Sequence, residues 1–473
     1  MMDMLLFLDF GGMQAQSVAR RLRGESVYCE ILPCNADIKK VLEKEPRGLV
    51  LAGEGDAPCK AELFETGLPV LAFGHGAREA VRNFGGQLSG IVLERKIAHI
   101  EFGEDPLFAS LTECDRFIER ADAWELPEEF AQIASAGLAF SCAEKRIWGL
   151  QFYPEVNDPD GLRILSNFAD ICDCAREWTI GNFIDRSMDS IREQVGEGHA
   201  FIAISGGVDS TVCAVLMHRA IGRRMHCVHV DTGLMRKDEA AQIKKMFGDM
   251  GMELRMVHAK DRFLARLEGI SDSESKRRAV GEEFIRALAE EAQSMGEEDH
   301  LVQGTIYTDV LNAGGSAAGF ILAEKRFAGL VEPLRTLFKD EVRALGVALG
   351  LPAEMVYRQP FPGPGLAVRC MGEVTEDKLE ILREADAIFR EEIKAAGLDK
   401  KMQQYFAVLT GEKEYIVALR AVNRAEAGRV AAVKLPYDLL ERCVERIMQV
   451  QGVSRVVYDI SGSPAGVEWE RTK

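Results

Sequence analysis

Short apolar runs alternate with amphipathic stretches along the whole chain. LLFLDF (Leu5–Phe10), GLVLAG (Gly48–Gly53), PVLAFG (Pro69–Gly74) and IWGLQF (Ile147–Phe152) each end at glycine or a polar residue. Runs this short and this apolar predict buried parallel strands that deliver loops at their C-terminal ends. A second block opens near Trp178. Phe183, Met188, Ile191 and Val195 recur at helical spacing, and HAFIAISGGVDSTVCAVLMHRAI (His199–Ile221) then predicts strand, glycine turn and helix. MHCVHVDTG (225–233) and ELRMVHAKD (253–261) predict further strands, with the helix EAAQIKKMFGDM (239–250) between them. After the turn-rich QPFPGPG (Gln359–Gly365), two helical stretches (376–397 and 436–452) mix with two strands, YIVALRAV and SRVVYDI. The predicted fold is α/β, with two doubly wound parallel-sheet domains over 1–175 and 176–362 and a small α+β domain over 363–473.

Composition narrows the partners. The 473 residues include 47% apolar and 28% charged residues, as in soluble globular proteins. A formal charge of −17 argues against wrapping nucleic acid, which needs a basic surface. No apolar run is long enough to span a bilayer. The N-terminal MMDMLLFLDF has neither a basic start nor a cleavage site, and reads as a first strand rather than a signal peptide. Eleven scattered cysteines show no CxxC pair, and Cys172 and Cys174 stand too close together for a usual metal pair. A reduced cytoplasmic protein with buried thiols is expected.

The motif richest in chemistry is Ser205-Gly206-Gly207-Val208-Asp209-Ser210, between an apolar strand and a helix. Two glycines let backbone amides approach phosphate, and a helix N-terminus adds partial positive charge. Ser205 and Ser210 can donate to phosphate oxygens. Asp209 is out of place in a purely anion-binding turn unless Mg2+ bridges it to pyrophosphate. His229-Val230-Asp231-Thr232-Gly233 ends the next strand, at the same sheet edge. No Walker lysine follows the glycines. The SGGxDS pattern is that of the N-type ATP-pyrophosphatases, which cleave ATP between its α- and β-phosphates and transfer AMP to a substrate oxygen.

Longer runs make the resemblance specific. VDTGLMRKDEAAQIKKMFG, KRRAVGEEFI, QGTIYTDV, VEPLRTLFKDEVRALGVALGLP and RQPFPGPGLAVR resemble GMP synthetase, in its order, as do the N-terminal LDFGGMQAQSVARRLR and VYCEILPCN. The resemblance implies a flavodoxin-like class I glutamine amidotransferase, an ATP-pyrophosphatase of the adenine-nucleotide alpha hydrolase type, and a dimerisation domain that makes a homodimer. It implies ATP and Mg2+ as cofactors and a purine-type acceptor, XMP by default. Carried over by position, Ser205 to Ser210 hold the pyrophosphate, with Asp209 on the metal, and Asp231 belongs to the same cofactor-binding site. Gln303, Gly304 and Thr305 line the adenine side, and Lys339 stabilises departing pyrophosphate. Arg278, Gln359 and Glu468 face the acceptor.

Two regions depart from the family. Glutamine hydrolysis needs a thiolate, a histidine base and a carboxylate that orients it. Gly74 stands at the family's cysteine position, Tyr153 at its histidine, and Glu155 remains with no histidine to orient. Glu54, in Gly53-Glu54-Gly55, brings a carboxylate to the oxyanion turn. No glutaminase activity is expected. The acceptor side is altered too. GGSAAGFILAEKRFAGL (314–330) lacks the family's paired histidines, LTGEKE is trimmed, and Ser461–Glu470 lacks a lysine while keeping Glu468. The expectations therefore include ammonia from solution or from a donor protein, a changed acceptor or a sulfur nucleophile, and, last, a non-catalytic nucleotide-binding protein.

Overall fold

The structure is a computed structural model that describes residues 2–154, 158–293, 299–313, 327–411, 414–424, 430–461 and 469. It divides into two compact units, Met1–Phe183 and Ile184–Lys473.

In chain order, the first unit contains β1 (Met4–Asp9), α1 (Gln14–Gly24), β2 (Tyr28–Pro33), α2 (Ile38–Leu42), β3 (Gly48–Ala52), β4 (Val70–Phe73) and α3 (His75–Asn83). It continues with β5 (Gln87–Glu101), β6 (Glu113–Glu125), β7 (Ala131–Gln132), β8 (Ala139–Cys142), β9 (Ile147–Leu150) and α4 (Pro159–Ile171). Its sheet runs β2-β1-β3-β4-β9-β8-β7. The first five of these strands pair in parallel, and β8 and β7 close the edge antiparallel. Strands β3, β4, β8 and β9 are buried at every position, as expected of strands covered on both faces. Apart from this sheet, β5 and β6 form a long antiparallel ribbon.

The second unit follows α5 (Ile180–Val195), which runs across the division. It holds β10 (Ala200–Ala203), α6 (Val208–Ile221), β11 (Met225–Asp231), α7 (Glu239–Asp249), β12 (Leu254–His258), α8 (Lys260–Leu267) and α9 (Ser273–Ala292). Then come β13 (His300–Val302), α10 (Tyr307–Ala313), β14 (Gly329–Val331), α11 (Lys339–Ala348) and α12 (Ala353–Val356). The last part has α13 (Glu376–Ala395), β15 (Gln404–Thr410), β16 (Tyr415–Arg424), β17 (Val430–Ala432), α14 (Tyr437–Ile447) and β18 (Val453–Asp459). Its main sheet, β12-β11-β10-β13-β14, is wholly parallel. In the smaller sheet β16 pairs antiparallel with β15 and β17 and parallel with β18. One core joins Phe201, Val228 and Val230 of the large sheet to Leu382, Phe389, Leu419 and Ile447 of the C-terminal block. The α+β block therefore packs directly on the nucleotide-type sheet.

Candidate functional site

In the second sheet, the chain moves from β10 to β11 and β12 on one side, then returns to β13 and β14 on the other. Loops leaving β10 and β13 diverge there and open the crevice where α/β sheets take ligands. Gly206, in the loop after β10, has φ +78°, and a methyl group on it would meet Ile243 Cδ1 at 2.6 Å. The positive φ favours glycine here, and a Cβ would also make Ile243 shift. Gly207 caps α6 with no side chain, which leaves the first-turn amides available to a ligand. Around them, Ser205 Oγ lies 3.1 Å from Ser210 Oγ and accepts from Gly207 N at 3.2 Å. The hydroxyls of Ser210 and Thr211 donate to Gly207 O at 3.3 and 2.8 Å.

The loop after β13 lies on this turn. A methyl group at Gly304 would come within 3.2 Å of the Asp209–Ser210 peptide, so glycine lets the two backbones meet without displacing the turn. Gln303 N donates to Val331 O at 3.0 Å, and the Thr305 hydroxyl is buried with no hydrogen-bond partner among the described residues. Lys339, the first residue of α11, donates to both Asp209 carboxylate oxygens at 2.7 and 2.6 Å. Asp231 ends β11, where its Oδ1 accepts from Gly233 N at 3.1 Å. Residues far apart in the sequence, Ser205–Ser210, Gly304 and Lys339, thus meet at one point. Arg278 and Gln359 make their contacts elsewhere. Arg278 is exposed on α9 and 3.7 Å from Glu274, and Gln359 Oε1 accepts from Tyr405 N at 3.2 Å. Glu468, Glu155 and most of the altered 314–330 run lie outside the described residues. Among the described residues no group of three or more His, Cys, Asp or Glu is placed to hold a metal ion.

The sequence reading missed two arginines. Arg358 donates to Gly206 O and to Glu239, bracing the glycine turn from outside. Arg383, on α13, donates to Gly233 O and, at 3.2 Å, to Met235 O. Arg358 directly precedes QPFPGPG, which is the one signal that marks it. Nothing local marks Arg383.

In the first unit the sheet reverses between β1 and β3, so the loops after these strands, β4 and β9 meet. Gly74, between β4 and α3, has φ +48° and ψ −108°. The sharp strand-to-helix turn is intact, but the Tyr153 ring fills the space above it. A methyl group at Gly74 would stand 3.1 Å from the Tyr153 hydroxyl and 3.2 Å from its ring. That hydroxyl donates to Gly53 O at 2.6 Å and accepts from Gly53 N at 3.3 Å. Burial pushes the phenol up to about 12, so it stays neutral. Arg78, one turn into α3, pairs with buried Asp122 at 2.5 Å, and Gln151 locks Asp122 N through its side-chain carbonyl at 2.7 Å. His75 is buried against Phe10 and pushed down by burial, with Glu79 3.7 Å away. The cysteines offer no substitute nucleophile here, since burial pushes Cys59 up to about 12 and raises Cys34.

Together, the parallel sheet, the SGGxDS turn at its switch point and the amidotransferase-like unit before it define an ATP-pyrophosphatase of the amidotransferase type. The NAD synthase family model matches residues 183–416, and the GMP synthase C terminal domain model matches 391–469. Curated relatives agree along the whole chain. The glutamine-hydrolyzing GMP synthases of Acetivibrio thermocellus, Caldicellulosiruptor saccharolyticus and Clostridium novyi are 43%, 44% and 42% identical, each over 99% of both chains. The chain belongs to the GMP synthase family of ATP-dependent carbon–nitrogen ligases. The first of these alignments spans 514 positions against 473 residues here, so this chain lacks stretches that the relative has.

Proposed function

We propose that this protein uses ATP to adenylate the carbonyl oxygen of a purine-type nucleotide, XMP by default, and that external ammonia then displaces AMP. Glutamine hydrolysis is absent. The observation that supports the second half is the Tyr153 ring seated where a nucleophile on residue 74 would project. With no side chain at 74 and a neutral phenol at the base position, neither attack nor proton abstraction has a group to perform it.

For the first half, the α6 N-terminal amides, Ser205 and Ser210 hold the pyrophosphate portion of ATP. Asp209 offers a hard carboxylate oxygen beside the phosphates and is the residue that would help hold a magnesium ion. When bound, that ion neutralises charge on the departing pyrophosphate. Lys339 pairs with Asp209 at 2.6 Å, at the edge of the phosphate-binding turn. From there its ammonium reaches the phosphates and stabilises the negative charge that builds up as pyrophosphate leaves. Gln303 to Thr305 face the adenine, and the unpartnered Thr305 hydroxyl is free to bond it. Arg278, Gln359 and Glu468 serve the acceptor. The homodimer forms through the C-terminal block, where Tyr437 and Val444 on α14, Met448 just after it and Val457 on β18 expose apolar surface. The cytoplasm suits a chain with ten of its eleven thiols buried and all free.

Pyrophosphate release by purified protein with ATP and magnesium tests this. Release with XMP plus ammonium, but not with XMP plus glutamine, is the expected result. Glutamate formed from glutamine would overturn the loss of glutaminase. A second reading, a different acceptor or a sulfur nucleophile, is favoured by the stretches this chain lacks relative to its relatives. It predicts no XMP-dependent release under any condition and a hit in a wider nucleotide and nucleoside screen.

A further inference from the structure

His229 opens the motif that ends β11, yet phosphate binding gives it no role. Val228 and Val230 on either side of it enter the core shared with the C-terminal block. The alternation of the strand turns His229 to the opposite face, where it is only 1% exposed. Its Nδ1 lies 2.7 Å from Ile204 O. A carbonyl can only accept, so Nδ1 carries the hydrogen and donates. Nε2 is buried with no hydrogen-bond partner among the described residues. An apolar side chain would fill such a position without leaving a nitrogen unpaired. What histidine adds here is the bond to Ile204.

Ile204 is the last residue before the glycine turn. β10 ends at Ala203, which pairs with Val228, and Ile204 N still donates to Val228 O at 2.7 Å. Beyond that point the ladder stops, and among the described residues no backbone amide reaches Ile204 O. The His229 ring takes the place of the missing ladder donor. The rest of the turn repeats the pattern. Arg358 donates to Gly206 O, and the Ser210 and Thr211 hydroxyls donate to Gly207 O at 3.3 and 2.8 Å. The carbonyls of 204, 206 and 207 are thus each held by a side chain, which leaves the amides of the turn to face a ligand.

We propose that His229 is a positioning residue for the phosphate-binding turn. By holding Ile204 O it fixes the peptide that joins Ile204 to Ser205, and with it the direction of the Ser205 hydroxyl and of the amides that follow. The inference rests on the reading of this turn as the ATP site. A buried bond of this kind acts by preorganisation, because a turn that is already ordered loses less freedom when phosphate binds. Its effect falls on nucleotide affinity.

Full-length protein carrying His229→Leu, His229→Met or His229→Asn tests this. Asparagine places an amide nitrogen close to the position of Nδ1, so it keeps the bond while leaving a void where the ring was. Leucine and methionine fill the space and lose the bond. Binding of α,β-methylene-ATP with magnesium, a nucleotide that cannot be cleaved between its α- and β-phosphates, is measured by calorimetry, with thermal melting alongside. The expected result is a Kd raised about tenfold in the Leu and Met variants and within about twofold of wild type in the Asn variant, as for the loss or retention of one hydrogen bond. The melting temperatures should not follow that order, since Asn carries the void. A histidine that merely fills space gives the reverse order of affinities, with Asn the weakest binder. That order, or wild-type affinity in the apolar variants, overturns the role of His229 and leaves the ATP site in place. Failure of the wild-type protein to bind the nucleotide overturns the ATP reading and this inference with it.

Discussion

Lys339 and Gly74 show how much single residues decide. Lys339 donates to both oxygens of Asp209, so Lys339→Met removes a fixed cation from the proposed site of leaving-group charge. Its kcat for pyrophosphate release should fall by about 10²–10³, the usual effect of losing one transition-state donor, while thermal melting stays close to wild type. Gly74→Cys should not restore glutamine hydrolysis. A side chain at φ +48° is strained, and its Cβ presses on Tyr153, so the variant should lose about 1–3 kcal/mol in chemical denaturation. Tyr153 also sets a pH limit. Its folded value near 12 exceeds the ordinary phenol value of 10.0. The stability it contributes is complete below pH about 10 and is lost as pH rises towards 12, because phenolate is tolerated only in the unfolded chain. Tyr153→Phe should flatten that alkaline limb of a denaturation-versus-pH curve. At this scale the sequence was informative where chemistry is contiguous. The SGGVDS turn and the glycine at 74 can be read directly, whereas the clasp of Tyr153 on Gly53 joins residues 100 apart and needs the sheet to exist first.

Elements show a different balance. The loop after β11 reads like part of the nucleotide domain, yet α13 of the C-terminal block holds it. Arg383 binds two of its carbonyls, Lys237 pairs with Glu384 at 2.7 Å, and buried Arg236 lies 3.6 Å from Asp386. Leu366 N donates to Leu234 O at 2.8 Å from the turn before α13. Arg383→Ala should therefore loosen a loop in the site without touching substrate. The expectation is a KM for ATP raised about tenfold with kcat little changed, measured by steady-state pyrophosphate release. β1, β3, β4, β9 and β10 were legible as short apolar runs and β11 and β12 as mostly apolar ones, whereas β13 and β14, three residues each, were not read as strands. The β5–β6 ribbon was not, since its register shifts near Leu88, Ile91 and Leu93 break the period-two pattern. β15 also escaped prediction. QYFAVLT is a short apolar run, which periodicity cannot tell from a buried helix segment.

For the whole molecule, every residue assigned here to ATP lies in the unit Ile184–Lys473. A chain shortened to residues 184–473 should keep ammonium-dependent pyrophosphate release if the first unit makes no ammonia, and loss of that activity would show that the first unit is needed for the second to work. The order of blocks along the chain was legible because family runs occur in sequence from end to end. How the C-terminal block shares one core with the large sheet was not, because the residues that meet there come from several separate segments. The Tyr153 plug also makes the change in the first unit hard to undo one step at a time. Replacing Tyr153 alone leaves both backbone groups of Gly53 without their shared partner, and replacing Gly74 alone forces a side chain against the ring. If the site is inactive as proposed, each single reversion passes through a less stable protein without a catalytic gain, and only simultaneous substitutions cross that valley. Under the proposed loss of glutaminase, a filled site of this kind would act as a ratchet that holds the chain to nitrogen supplied from outside.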